Sequence, residues 1–345
     1  MIADGRYTRM SVDACDFDRG AAVDEVTPDQ LVGDLGEHQL IDVLTRRLEQ
    51  NESVLVGPGD DAAVIATPDA RCVVSTDLMV EGKHFKREWS RGHDVGRRLA
   101  GANLSDICAM GADPTALVVG LVLPATTTVA WVLDFADGLV VECRMVNAAV
   151  VGGDLSGGAA ITVAATALGD LGGRDAVRRA GAKPGDVVAL AGRVGWAAAG
   201  LFILGRGFTA PRALVAAHRF PEPPYAAGKA AALAGATSMI DVSDGLVADI
   251  GHLARASGAV MAVSTDSLPV DAPVQDAASA FNADPMDWIL TGGDDHGLVA
   301  TFPPGIVMPE GFRPIGVVEE LAGRSPEVLV DGAQWQSPGG FDHFS

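Results

Sequence analysis

The sequence predicts an α/β (α+β) protein of two domains. Short apolar runs rich in Val, Ile and Ala alternate with longer segments whose apolar residues recur at helical spacing. A Gly- and Arg-rich connection, GDLGGRDAVRRAGAKPGD, breaks this pattern near residue 170. The 345 residues, 48% of them apolar, suffice for a substantial buried core.

In chain order, GEHQLIDVLTRRLEQ has helical periodicity and leads into a Gly-Pro-Gly-Asp-Asp loop and two β-like runs, AAVIA and RCVVSTD. A helix is expected around VGRRLAGANLSDICAMGA, then a strand at ALVVGLVL, a helix through VAWVLDFADGLVVECRMV, and strands at AAVVGGD and AAITVAATALG. Beyond the connection, VVALAG, SMIDVS, AVMAVS, HGLVATF, RPIGVVEE and EVLVDG read as strands. WAAAGLFIL, PPYAAGKAAALAG and GLVADIGHLARAS read as helices. The expected division is a flexible acidic extension over 1–32, an N-terminal α/β domain over 33–169 and a C-terminal α/β domain over 170–345.

The stretch from Pro114 to Leu133 carries no charge and has the length of a membrane-spanning helix, about 20 residues. Pro124 and the triplet Thr126, Thr127, Thr128 divide it into strand, turn and helix N-cap, so no membrane span is expected. The first 32 residues lack the apolar stretch of a secretory signal. A net charge of -20 excludes a protein that grips nucleic acid or an anionic membrane by charge. Cys15, Cys72, Cys108 and Cys143 form no C-x-x-C pair, which points away from zinc or a disulfide framework and towards a reducing cytoplasm.

The chemistry-bearing residues are carboxylates. They are Asp60 and Asp61 in GPGDD, Asp77 in VSTD, Asp106 in NLSD, Asp154 in VGGD, Asp241 and Asp244 in DVSD, and Asp294 and Asp295 in TGGDD. Most follow an apolar β-like run and are expected where strands end, the position of ligands in α/β sheets. Singly, each reads as an N-cap or a turn residue. Converging carboxylates, however, repel one another unless cations lie between them. Oxygen donors without a His or Cys pattern select Mg²⁺, which is commonly shared with substrate phosphates, and phosphoryl transfer follows as the expected chemistry. No G-x-x-x-x-G-K-[ST] loop or protein-kinase signature occurs, and the only lysines are Lys83, Lys86, Lys183 and Lys229. A nucleotide would therefore be held through metals and arginines.

GPGDDAAV, STDLMVEGKHF, NLSDICAMGADP, VVGGD, RRAGAKPGD, IDVSDGLVADI and TGGDDHGLV stand in the order and spacing of a known family. Over residues 33–345 the chain resembles the thiamine-monophosphate kinases, within the larger aminoimidazole ribonucleotide synthetase-like group. The resemblance implies a two-domain fold, a homodimer formed through the N-terminal domain, and ATP in the cleft between the domains. It implies several Mg²⁺ ions at Asp61, Ser75, Thr76, Asp77, Asp106, Asp154, Asp241 and Asp244. ATP contacts are implied at Gly153, Asp154, Arg179 and Ser243, and thiamine monophosphate contacts at His84, Asp294 and Phe341. Transfer would be direct and in line, with no covalent nucleophile.

The chain departs from the family pattern at Asp294, where Glu is usual, at His296, often Tyr, at Val146 and Asn147, often Tyr-Gly, and at Tyr225, often Arg. His38, His218 and His252 read as helix-surface or satisfied side chains, and Trp131 and Trp288 as core aromatics. Two alternatives are a related synthetase that activates an amide, carbamoyl or selenium group, and a non-catalytic nucleotide-binding dimer. Cys15 lacks the Gly-rich loop of a selenium enzyme, and the near-complete acidic set disfavours the binding module.

Overall fold

Short β-branched runs separated by glycine turns give strands, and the longer periodic segments give helices, in the computed structural model, which describes residues 27–59, 62–335 and 340. The first half contains α1 (Glu37–Thr45), β1 (Val54–Val56), β2 (Val64–Ile65), β3 (Val73–Val80), α2 (Gly92–Ala109), β4 (Asp113–Leu123), α3 (Val129–Met145), β5 (Ala149–Gly157) and β6 (Thr162–Asp170). The second contains β7 (Val187–Ala191), α4 (Trp196–Gly205), α5 (Arg212–Arg219), α6 (Tyr225–Leu233), β8 (Ser238–Val242), α7 (Leu246–Ser257), β9 (Val260–Val263), α8 (Ala272–Phe281), α9 (Pro285–Thr291), β10 (Gly297–Phe302), β11 (Phe312–Glu319), β12 (Glu327–Val330) and β13 (Ala333–Gln334).

A four-stranded sheet, β3-β6-β4-β5, is antiparallel except for the parallel β4–β5 pair. A seven-stranded sheet, β13-β12-β9-β11-β7-β10-β8, is antiparallel except for β9–β12. The architecture is thus mixed α/β, as the sequence predicts. Thr128 caps α3 by accepting a hydrogen bond from Trp131 N at 3.3 Å, which ends the uncharged stretch where the threonine triplet places the break. Among the described residues no helix is long and apolar enough to cross a membrane.

The helix α2 organises the first half. It packs against α3, the four-stranded sheet, α6 and β8, and Leu99, Leu104 and Ile107 are fully buried. A helix covered on nearly every side loses the usual apolar stripe and carries small residues at close crossings. A Cβ on Gly96 would meet Phe135 O at 2.1 Å, and one on Gly138 would meet His93 O at 2.2 Å, so α2 and α3 touch backbone to backbone. This fixes α2, and the polar residues on its C-terminal half, against β3 and β8.

Candidate active site

The alternation of β3 turns Ser75 and Asp77 towards α2 and Thr76 to the opposite face. Ser75 Oγ donates to Asp106 Oδ2 at 2.6 Å, and the main-chain N–H of Asp77 donates to Asn103 Oδ1 at 3.1 Å. Asn103, fully buried, also donates to Leu99 O one turn back in α2. One helix thereby supplies both the Asp106 carboxylate and the amide that holds the Asp77 backbone. Thr76 commits its hydroxyl to Ala165 O at 2.9 Å.

From the second half, β8 brings Asp241 to the same place. Its Oδ2 lies 2.9 Å from His296 Nδ1, and both residues are buried. Desolvation, then the neighbouring Asp241 and Asp77 charges, push Asp106 up to about 7, although the Ser75 bond opposes this. Asp77 is also raised, by desolvation and by Asp241 and Asp244, with His296 opposing. Desolvation would lower His296, but its bond to Asp241 and the surrounding carboxylates hold it above the ordinary imidazole value. These carboxylates share a field that favours a bound cation or proton.

The turn from β8 to α7 is built by Asp249, which sequence reasoning missed. Its Oδ2 accepts the N–H groups of Ser243, Asp244 and Gly245, each at 3.1 Å, so the main-chain amides of the turn leading into α7 gather on one carboxylate. Desolvation raises Asp249 to about 7 against those bonds, with Asp241 and Asp244 adding to the rise. Gly245 has φ of 145°, a conformation that suits glycine. Asp244, Asp249 and His252 each place one potential ligand atom within 4.8 Å of the others.

Asp294 and Asp295 part company. Asp295 Oδ1 accepts the Ala197 N–H at 2.9 Å and caps the start of α4, while Oδ2 is buried with no hydrogen-bond partner among the described residues, and desolvation raises the group to about 7. Asp294, at φ 67°, faces Arg98 of α2 with Nη2 and Oδ2 2.6 Å apart. Desolvation would raise its carboxyl, but Arg98 holds it below the usual value. Arg98 also donates to His218 O at 3.2 Å, in the last turn of α5. Nothing in the sequence pattern marked Arg98 or Asn103, because polar residues in a helical segment read as its solvent face.

His84 lies half-buried in the loop after β3, where its Nδ1 accepts the Val80 N–H at 2.9 Å, which puts the ring proton on Nε2. Beside this loop is a cavity of about 470 Å³ lined by Glu81, Gly82, Lys86, Glu88 and Trp89. Ser243 accepts the Asp294 N–H at 2.9 Å through its carbonyl, and Arg179 is exposed on the connection between the halves.

The structure therefore brings together Ser75, Asp77, Asp106, Asp241 and the Ser243–Asp244 turn. Asp154 stands apart. It occupies the register row Leu78, Ala164, Gly120, Asp154, and β3 and β5 are separated by two intervening strands, about 14 Å across the sheet. Gly153 is its neighbour on β5. The expectation that the acids sit where strands end fails for Asp77 and Asp154, which lie within strands, and for Asp106, which lies inside α2. Asp60, Asp61 and Phe341 lie outside the described residues.

Residues 59–171 match the family model for AIR synthase related proteins, N-terminal domain. A thiamine-monophosphate kinase of Mycobacterium tuberculosis is 45% identical over 311 residues, covering 90% of this chain and 92% of that protein. A crystal structure of the thiamine-monophosphate kinase from Stenotrophomonas maltophilia superposes with TM-score 0.74 at 31% identity, covering 87% of this chain and 98% of that one. The structure named "AaThiL complexed with AMPPCP and TMP" gives TM-score 0.73 at 31% identity, over 90% of this chain and 98% of that one.

Proposed function

The chain belongs to the thiamine-monophosphate kinase family, and we propose that the acidic cluster between β3, α2 and β8 is where it transfers phosphate. It phosphorylates thiamine monophosphate to thiamine diphosphate with ATP as co-substrate. The observation that carries the site is the convergence of Asp77, Asp106 and Asp241, whose mutual field and desolvation raise Asp77 and Asp106. Hard oxygen donors with elevated affinity for positive charge fit Mg²⁺.

In this reading Asp77, Asp106, Asp241 and Asp244, with the oxygen of Ser75, hold Mg²⁺ in the cluster, and Asp61, Thr76 and Asp154 are the further ligands that the family resemblance implies for several ions. Bound there, these ions would neutralise the phosphates of donor and acceptor and the charge developing on the transferred group. Gly153, Arg179 and Ser243 contact ATP, while His84, Asp294 and Phe341 contact the acceptor. The acceptor oxygen is already ionised at neutral pH, so the protein need supply no strong base and no covalent nucleophile. What it supplies is alignment: α2 fixes Asp106 and, through Asn103, Asp77, while the Asp249-built turn fixes Asp244. The domains would meet near residue 170, with the cleft between them as the site, and the working form would be a cytoplasmic homodimer.

The test is the Mg²⁺-dependent conversion of thiamine monophosphate and ATP to thiamine diphosphate and ADP, with free thiamine as parallel acceptor. Diphosphate formed from the monophosphate alone is expected. Asp241→Asn and Asp244→Asn should each lower turnover by about a hundredfold or more while leaving the circular dichroism unchanged. Full activity in both variants would remove the metal assignment.

A further inference from the structure

We infer that Arg98 is a positioning residue for the acceptor: its guanidinium reaches from α2 across to the opposite half, where it anchors the Asp294 carboxylate and the end of α5 together. The inference rests on the reading of Asp294 as an acceptor contact and goes beyond it, since Arg98 would act through Asp294 without touching substrate.

The Arg98 side chain is 8% exposed, whereas that of Asp294 is 45% exposed. A guanidinium so far from solvent requires a counter-charge, and among the described residues Asp294 is the carboxylate paired with it. Its remaining partner is a carbonyl, His218 O, in the last turn of α5, where helix carbonyls lack intrahelical donors and a cation is favoured. His218 adds no competing charge, because burial and then Arg98 itself push its imidazole down to about 4.

Asp294 is held on several sides. Its N–H bonds Ser243 O, its neighbour Asp295 caps α4, and its Oδ2 pairs with Arg98. Asp is one methylene shorter than the Glu usual in the family. An anchored short carboxylate keeps a defined direction where a free one would rotate, and orienting the cationic ring of the acceptor requires that direction.

Kinetics of Arg98→Met, Arg98→Lys, Asp294→Asn and the Arg98→Met/Asp294→Asn double variant decide the matter, with melting temperatures alongside. Arg98→Met should raise KM for thiamine monophosphate on the order of tenfold while KM for ATP stays within about twofold. Arg98→Lys keeps the charge but loses the planar fork, so its rise should be intermediate. The double variant should be no worse than Asp294→Asn alone, the signature of two residues acting as one unit.

An unchanged or lowered acceptor KM in Arg98→Met, parallel rises in both KM values, or additive effects in the double variant would overturn the inference. If Arg98→Met does not fold, Arg98→Lys decides by the same acceptor-only rise or its absence. If Asp294→Asn leaves the acceptor KM unchanged, the reading of Asp294 fails instead. A wild-type protein that forms no thiamine diphosphate would remove the proposed function itself.

Discussion

His218 shows how burial overrides what a residue type suggests. In the sequence it reads as a helix-surface or satisfied histidine, and in the structure it is 5% exposed, with Nδ1 lacking a hydrogen-bond partner among the described residues and the Trp89 ring edge-on at 6.1 Å. Its imidazole titrates at about 4 when folded and at 6.5 in the ordinary state, so as pH falls through 6.5 the unfolded chain takes up a proton that the native chain refuses. Its contribution to stability is complete above 6.5 and is lost as pH falls towards 4, costing about 2 kcal/mol at pH 5. Asp106, Asp249 and Asp295 act with the opposite sign. Each titrates at about 7 when folded, so the native state binds protons first and gains stability as pH falls from 7 towards 4. Urea unfolding of the wild type and His218→Leu at pH 7 and pH 5 separates the two, and the variant should lose less stability, or gain more, on acidification. Equal pH responses would mean that His218 is protonated in the fold. The carboxylates themselves were legible, because repeated Gly-Asp and Ser-Asp pairs in apolar surroundings are costly without a ligand. Arg98, Asn103 and Asp249 were not, because their partners lie far away in sequence.

At the scale of elements, what periodicity reveals depends on how an element is covered. Strands such as β4 and β10 and helices such as α3 and α7 were legible from alternation or helical spacing between turn residues. The helices α5, α8 and α9 were not anticipated, since they are short and follow or contain prolines that punctuate the pattern. Glycines inside α2 would count against a helix by propensity, yet here they permit the closest helix crossing in the first half. Gly96→Ala would drive a Cβ to 2.1 Å from Phe135 O, backbone against backbone, so α2 and α3 must separate and the cost should be about 3 kcal/mol. Gly205→Ala, at the end of α4 with none of the described residues within 4 Å of the added Cβ, should be neutral or stabilising by up to about 1 kcal/mol. Urea midpoints of the two variants give the contrast, and equal values would show that the α2–α3 crossing relaxes without cost. Because α2 carries Asp106, Arg98 and Asn103, Gly96→Ala should also reduce turnover at temperatures where it remains folded.

Across the whole molecule, polar contacts join the two halves. Glu142 on α3, 2% exposed and already bonded to Arg97 Nε of α2 at 2.8 Å, accepts Tyr225 Oη of α6 at 2.7 Å, and the half-exposed Asp113 pairs with both Arg174 and Lys229. On the outer face of the four-stranded sheet, Val54 and Ile65 of β1 and β2 cover Ala116, Ala149 and Val151, and among the described residues the rest of the face is less covered. Val74, Leu78 and Val118 are exposed there, and β3 is an edge strand with no strand partner on its outer side among the described residues. Exposed apolar side chains beside a strand edge mark an interaction surface, and a second copy of the chain is the occupant we propose. The sequence pattern alone gave only apolar β-runs in this half; the homodimer came from the family resemblance, because alternation says which residues share a face and not what covers it. In a two-fold interface each side chain occurs twice, so one introduced charge meets itself or its mate across the axis. Val118→Glu should therefore convert a dimer into a monomer in sedimentation velocity, leaving the circular dichroism unchanged. Asp154 shares the row of Leu78 across this sheet, so loss of the dimer should also unseat a proposed metal ligand, and ATP turnover should fall with it. A wild-type protein that sediments as a monomer, or a Val118→Glu variant that stays dimeric, would assign this face to another partner and return Asp154 to the solvent.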